Sequence, residues 1–367
     1  MKFILIIVTL ITFLSCSQKS EKAHISGNIE NIPDSTKVVL AKASGKKLDS
    51  TYTEDSRFSL TLSLNEEPEM FSISFQNDSL WHYEKLFISN EQIDISGDFS
   101  KNAINVKIEG SKHNPFQIKI ENYLKELSQQ RNQIRNEFMS ARIEGKLNDS
   151  LYSAIKLKLN LVDIETEKKR KEFIEDNIES YYALYELCVY KNDYELTELK
   201  EVLKKITKEK KESKYAKVIK ASIEYPKLNT NDKYYNFSAK DQNSNDFVFS
   251  NLFESNKKYV LLEFSSNSCP YSTKAIPMLN DLNSNSNDNL QIISFSTDEE
   301  LSDFNSYSHK IKHIALYDGD GTYSETYTKY GVDVTPTYFL FNPKGKLIEK
   351  IEGYGEGTKD RILNQIK

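Results

Sequence analysis

The sequence predicts a multidomain protein with three regions in series: an all-β N-terminal domain, a helical middle region and a C-terminal α/β domain. Three patterns carry this. Apolar and polar residues alternate in short runs from residue 23 to about 110. From Pro115 to about Lys220 the apolar residues fall into helical spacing. Beyond that, buried-strand runs alternate with helical ones. A chain of 367 residues has room for more than one core. With 38% hydrophobic and 28% charged residues, and only 12 Gly and 8 Pro, it is neither collagen-like nor low-complexity nor a multi-span membrane protein. The 49 basic and 54 acidic residues give a net charge of −5, without the basic excess of a nucleic-acid binder.

Residues 1–15 read as a leader. Lys2 supplies positive charge, and Phe3 to Leu14 is an apolar run of 12 residues. That is short of the ~20 needed to cross a bilayer, so it fits a signal-peptide core. Ser15-Cys16 then resembles a bacterial lipobox, in which Cys16 would be lipidated and residues 16–22 would form a polar tether. Ordinary signal cleavage beside a chance cysteine is the alternative. The lipobox reading implies a lipid-anchored location in the cell envelope, facing the periplasm.

In the region 23–110 the runs HISGNI, KVVLAKA, RFSLTLSL, MFSISF, KLFIS, QIDISGD and INVKIEG have period-two character. Strands at such intervals suggest a sandwich or barrel. The isolated His24, His82 and Trp81 read as packing or surface residues.

In the region 111–226, Pro115 suits a first helical turn, with Asn114 as its cap. Phe116, Ile120, Tyr123, Leu124 and Leu127 share a face. Further helices are expected over Asp149 to Asn177 and Ser180 to Tyr190. Residues 200–220 hold nine lysines and three glutamates interleaved with Val202, Leu203, Ile206, Tyr215 and Val218. This reads as an amphipathic helix with a solvated basic face. Cys188, inside the apolar stretch Tyr181 to Tyr190, reads as a small hydrophobe.

The stretch 227–246, which leads into the region 230–367, is polar and loop-like. Tyr259 to Ser265 is a buried strand, Cys269 to Asn283 a helix and Leu290 to Ser296 a strand. Residues 299–310 and 322–330 are helical. Thr337 to Asn342 and Lys346 to Ile351 are strands joined at Pro343-Lys344-Gly345, and a last helix starts near Glu356.

Three cysteines, Cys16, Cys188 and Cys269, do not make a disulfide scaffold, and none has metal-ligand spacing. Cys269 carries the chemistry. It follows a strand and a short loop and precedes Pro270 at the start of a helix, where free N–H groups and the helix dipole lower a thiol pKa. More thiolate makes a better nucleophile at neutral pH.

In this setting residues 230–367 resemble the thioredoxin-like domain of TlpA-type thiol–disulfide oxidoreductases. Glu263 stands six residues before Cys269, where the family has a partly buried acid that assists proton transfer. Pro277 stands eight residues after it, at the bend of the active-site helix. Thr335-Pro336-Thr337 matches the cis-proline loop that lies against the active-site cysteine and receives the substrate backbone. The first two regions are similar to the β-rich domain of unknown function and the helical segment that precede such domains in bacterial lipoproteins.

The chain departs from the family at the reactive site. The family's Trp-Cys-x-x-Cys is here Ser268-Cys269-Pro270-Tyr271-Ser272. Without a resolving cysteine the usual two-thiol cycle is not available at this site. Ser272 is expected to donate a hydrogen bond to the Cys269 thiolate. The resemblance therefore implies catalytic Cys269, Glu263 and Ser272, and a partner-binding surface of Thr335, Pro336, Pro270 and Tyr271. The implied partners are protein thiols or disulfides of the envelope and a small-molecule thiol, with no cofactor, metal or nucleic acid. Two functions stay open: a monothiol exchange enzyme, and a redox-inactive binding module on the same fold. A peroxiredoxin-like reading is weaker, because Leu262 stands where that family has proline, although Ser266 fits. Asp318-Gly319-Asp320-Gly321 reads as a turn rather than a calcium loop.

Overall fold

The computed structural model describes residues 21–78, 80–99, 105–255, 257–285 and 289–366. The leader and Cys16 lie outside these. The chain divides into two compact units: Met1–Phe173 with Ser180–Tyr182, and Ile174–Glu179 with Ala183–Lys367.

The first unit opens with eight strands: β1 (Ala23–Glu30), β2 (Lys37–Lys42), β3 (Lys47–Tyr52), β4 (Arg57–Leu62), β5 (Glu69–Asn77), β6 (Leu80–Ile88), β7 (Gln92–Asp98) and β8 (Asn105–Glu109). They form two four-stranded sheets, β4-β1-β7-β8 and β3-β2-β5-β6. Alternation puts Ile25, Phe58, Leu60, Ile93 and Ile95 of one sheet into the same core as Val38, Leu40, Ile73, Phe75 and Leu86 of the other. The β-rich expectation therefore holds as a sandwich. Strand β3 was not legible, because KLDSTY has no alternating apolar set and none of its residues is fully buried. It is held by pairing with β2.

The helical region comprises α1 (Asn114–Tyr123), α2 (Lys125–Ile143), α3 (Asp149–Asp176), α4 (Tyr181–Val189), α5 (Leu196–Lys205) and α6 (Lys214–Glu224). Asn114 is not the cap of α1. It is the first helical residue, and its buried Oδ1 accepts the Phe87 N–H at 3.0 Å. The basic stretch is two helices rather than one. Ser213 breaks it by capping α6, accepting the Ala216 N–H at 3.2 Å. Leu199 and Val202 are buried on α5, and Tyr215, Val218 and Ile219 on α6. Most of the lysines point outward, as a solvated face requires. Among the described residues no helix is long and apolar enough to cross a membrane.

The second unit continues with β9 (Ser238–Asp241), β10 (Asp246–Val248), α7 (Asn251–Ser255), β11 (Tyr259–Ser265), α8 (Pro270–Asn285), β12 (Leu290–Ser296) and α9 (Leu301–Ser308). It ends with β13 (Ile314–Tyr317), α10 (Glu325–Lys329), β14 (Thr337–Phe341), β15 (Leu347–Glu352) and α11 (Thr358–Gln365). Seven strands form one sheet in the order β10-β9-β13-β12-β11-β14-β15. Strands β11, β12 and β13 are parallel, and β14 runs antiparallel to β11. One face packs Val260, Leu262, Phe264, Phe295, Phe339 and Phe341 with Phe237, Phe249 and Tyr330. The other packs Leu261, Ile292, Tyr338 and Leu340 against Ala275, Leu279 and Leu282 of α8 and Ile362 of α11. Because β11 is central and covered on both faces, its sequence is a continuous apolar run interrupted by one acid.

One expectation is corrected here, and one stretch that the sequence left unassigned is filled. The stretch 227–246 is not all loop, since it contains β9 and the start of β10. Ile314–Tyr317 is also a strand. Both are four residues long, too short for a periodic signal, and are fixed by pairing with each other.

Candidate active site

Strand β11 ends at Ser265, and residues 266–268 carry the chain to the head of α8. Cys269 caps that helix: its carbonyl accepts the Thr273 N–H at 3.1 Å, and its own N–H reaches the Ser266 carbonyl at 3.2 Å. Pro270 occupies the first helical position, where a missing N–H costs nothing. Pro277 lies inside the helix.

Cys269 is half-buried, and its thiol donates to the Thr335 carbonyl at 3.2 Å. The Thr335-Pro336 peptide bond is cis, so the expected proline loop does stand against the cysteine. Pro336 is buried and Thr335 half-buried. Burial pushes the Cys269 thiol up, but hydrogen bonds outweigh it and hold the pKa below the ordinary thiol value. They come from the Ser272 N–H, the Thr335 and Ser272 side chains and the Tyr271 N–H. Ser272 is fully buried, and its oxygen also accepts the Ser266 N–H at 3.4 Å, which leaves its one hydrogen for the sulfur. Tyr271 is 57% exposed beside the cysteine, with the Lys274 ammonium 5.5 Å from its ring centre.

The loop before Cys269 has an anchor that sequence reasoning missed. Asp298 is buried just beyond β12 and accepts from Ser266 Oγ at 2.7 Å and Ser296 Oγ at 2.8 Å. Its two oxygens accept the Asn267 N–H at 3.1 and 3.0 Å. Ser268, at the family's tryptophan position, instead joins this polar set, its hydroxyl 2.8 Å from that of Ser266. Asp298→Ala strands three donors and is expected to cost about 2–3 kcal/mol in urea unfolding. An unchanged unfolding midpoint would contradict this anchoring role.

Glu263 is fully buried in β11 directly opposite Tyr338 of β14. Burial raises its carboxyl to about 7, against the lowering effect of hydrogen bonds from Ser294 and Tyr307. Glu263 and Cys269 both act on the Tyr338 hydroxyl, which burial pushes well above the ordinary phenol value. The polar partners Ser294 and His313 were also missed. The signal available for Ser294 was a hydroxyl inside a strand whose residues are nearly all buried.

Cys188 is free and buried in α4, its thiol pushed up to about 11 by burial in spite of Lys191 and Lys214. That agrees with the packing reading. Asp318 sits in a turn, accepting from Ser324 Oγ at 2.5 Å and the Asp320 N–H at 3.1 Å. Among the described residues no cluster of His, Cys, Asp or Glu has the arrangement of a metal site.

Comparison with known proteins agrees with both ends of the chain. Residues 256–347 match a family described as thioredoxin-like, and residues 23–115 match the domain of unknown function DUF4369. The C-terminal domain is thus thioredoxin-like, as its fold is. A solved thiol:disulfide interchange protein DsbE from Chlorobium tepidum is 20% identical, covering 38% of this chain and 95% of that one, with a TM-score of 0.34. The thioredoxin domain of a thiol-disulfide oxidoreductase from Bacteroides vulgatus is 21% identical, covering 38% and 99%, with a TM-score of 0.34. A thiol-disulfide oxidoreductase from Bacteroides fragilis is 22% identical, covering 37% and 100%, with a TM-score of 0.33. No curated protein matches the chain.

Proposed function

We propose that this chain is a membrane-tethered thiol–disulfide exchange protein with a monothiol site. The Cys269 thiolate attacks one sulfur of a partner disulfide, forms a mixed disulfide and expels the other sulfur as a thiolate, which takes up a proton. An external thiolate then attacks the Cys269 sulfur, expels the partner's second sulfur as a thiolate and leaves Cys269 in a mixed disulfide with the external thiol; a second external thiolate attacks the outer sulfur of that bond, frees the Cys269 thiolate and leaves as the disulfide of the external thiol. Each cycle passes two electrons from external thiols to the partner disulfide. Ser272 has no sulfur with which to carry out the second attack, so it serves to hold the thiolate. Glu263 serves proton transfer. Thr335, Pro336, Pro270 and Tyr271 border the sulfur and receive the partner backbone. Cys16 carries the lipid, and residues 16–22 tether the protein in the cell envelope, where protein thiols and disulfides are its partners.

The observation that carries this reading is the set of N–H and O–H donors aimed at the Cys269 sulfur. A retired site has no need to stabilise a thiolate. The test is the pH dependence of Cys269 alkylation, followed by peptide mass so that Cys188 is counted separately. The expected midpoint lies below the free-thiol value of ~8.5. Ser272→Ala is expected to move it up, because the thiolate then loses the Ser272 hydroxyl. A midpoint at or above the free value would overturn the reading in favour of a redox-inactive binding module, which the loss of the second cysteine and the tryptophan would then explain.

A further inference from the structure

In the first unit α2 and α3 lie antiparallel. They are tied by the ion pairs Arg131–Asp163 and Lys158–Glu137, each at 2.9 Å, and by Phe138 against Tyr152. Helix α3 turns Ile155 and Val162 inward, and both are buried. On the opposite side of the same helix Leu157, Leu161 and Ile164 are 61%, 60% and 56% exposed. Their spacing of four and three residues stacks them in one line over two turns. A single exposed aliphatic is ordinary, but an aligned set at this spacing is the seam along which two helices pair.

The charges beside this line say what fits it. Lys156 and Glu167 stand 11 positions apart, close to three full turns, so they share one flank. Lys158 and Glu165 stand seven apart, close to two turns, and share the other. On both flanks lysine precedes glutamate along the helix, and that arrangement is complementary to its own reverse. A second α3 laid antiparallel about a two-fold axis near Leu161 sets Lys156 against Glu167 and Lys158 against Glu165, each twice, and Leu157 against Ile164. A parallel pair would set lysine beside lysine and glutamate beside glutamate. Among the described residues Lys156 and Glu165 form no ion pair within the chain. Lys158 and Glu167 make exposed pairs with Glu137 and Lys171, which contribute little and yield readily to a new partner.

We propose that the outer face of α3 is a self-docking surface, on which a second copy of this chain seats its own α3 antiparallel. The same residues serve both copies, as a two-fold interface requires. Three aliphatic side chains per copy make a small patch beside the ~1,200–2,000 Å² of a stable interface, so the pair is weak and forms as local concentration rises. Tethering through Cys16 would raise that concentration, but the docking depends neither on the tether nor on the exchange reading.

The test is cross-linking of the full chain, carrying Cys269→Ser, with a short bismaleimide. Leu161→Cys is expected to join to itself, because the axis brings its two copies together. Ala154→Cys is not, since its copies lie roughly 21 Å apart along the helices at 1.5 Å per residue. Lys168→Cys is not either, but a mixture of Ala154→Cys and Lys168→Cys chains is expected to join one to the other. The chain without an added cysteine measures any background from Cys16 and Cys188. Lys156→Glu in the Leu161→Cys chain brings like charges together twice and is expected to lower the joined fraction about fivefold. Adding Glu167→Lys restores it. Ala154, Lys156, Leu161 and Lys168 are all exposed, so these changes leave the fold intact. A Leu161→Cys chain that stays unjoined, an Ala154→Cys chain that joins to itself, or a joined fraction indifferent to Lys156→Glu overturns the proposal. A monomeric chain whose Leu161→Cys thiol is shielded from a water-soluble maleimide would give the face to lipid or another protein and overturn it equally.

Discussion

Cys269→Ser is expected to abolish mixed-disulfide formation outright, both with an aromatic disulfide reagent on the purified protein and with partner proteins in oxidising cells. The reason is chemical rather than structural. Cys269 is half-buried at a helix head, and serine fits the same volume, so stability should change by less than about 1 kcal/mol. What is lost is an ionisable sulfur. Among the described residues no other group replaces it. Ser272 is already an alcohol, and the Cys188 thiol, pushed up to about 11, is ionised to roughly one part in ten thousand at pH 7. The same numbers require an outside thiol for release, so wild-type mixed disulfides should persist until one is added. Disulfides captured by the Cys269→Ser protein, or an unaltered cellular phenotype, would rule out Cys269 as the nucleophile.

The second large effect concerns pH and the fold. The Glu263 carboxyl is raised from 4.5 to about 7 by burial. Between those values the folded chain binds a proton that the unfolded chain has released, so stability falls as pH rises through that window. Above it the loss is complete, on the order of 3 kcal/mol. Glu263→Gln cannot ionise and should lose this slope. His313, lowered to about 4, contributes the opposite slope between about 4 and 6.5 and does so in both proteins. The difference between wild type and variant in urea unfolding, taken at pH 5 and pH 8, therefore isolates Glu263. The variant is expected to gain on the wild type by up to about 3 kcal/mol over that interval, less at any fixed pH by the cost of its unpaired amide hydrogens. A pH-independent difference would mean that Glu263 does not titrate inside the fold.

The sites of these two predictions differ in how far they could be read in advance. Cys269, Pro270 and Ser272 belong to one helix start, where local rules operate. A strand run, a three-residue loop and a proline at the first helical position place a thiol among free N–H groups wherever they occur. The cis-proline loop was legible by its motif, though its contact with the sulfur was not. Strands β3, β9 and β13 were not read because they lack a burial pattern of their own and exist by pairing with neighbours.

By itself the sequence determined the β, helical and α/β order, the cysteine at its helix start, and the serine in place of a second cysteine beside it. Tertiary structure alone decided what surrounds the buried acid. Ser294 is 31 positions from Glu263, and Tyr307 is 44. They meet it only because parallel β11 and β12 pair Glu263 with Ser294 and α9 packs over the same face. No pattern within a helix or strand encodes that meeting, because register between distant strands is set by the packing of the whole sheet.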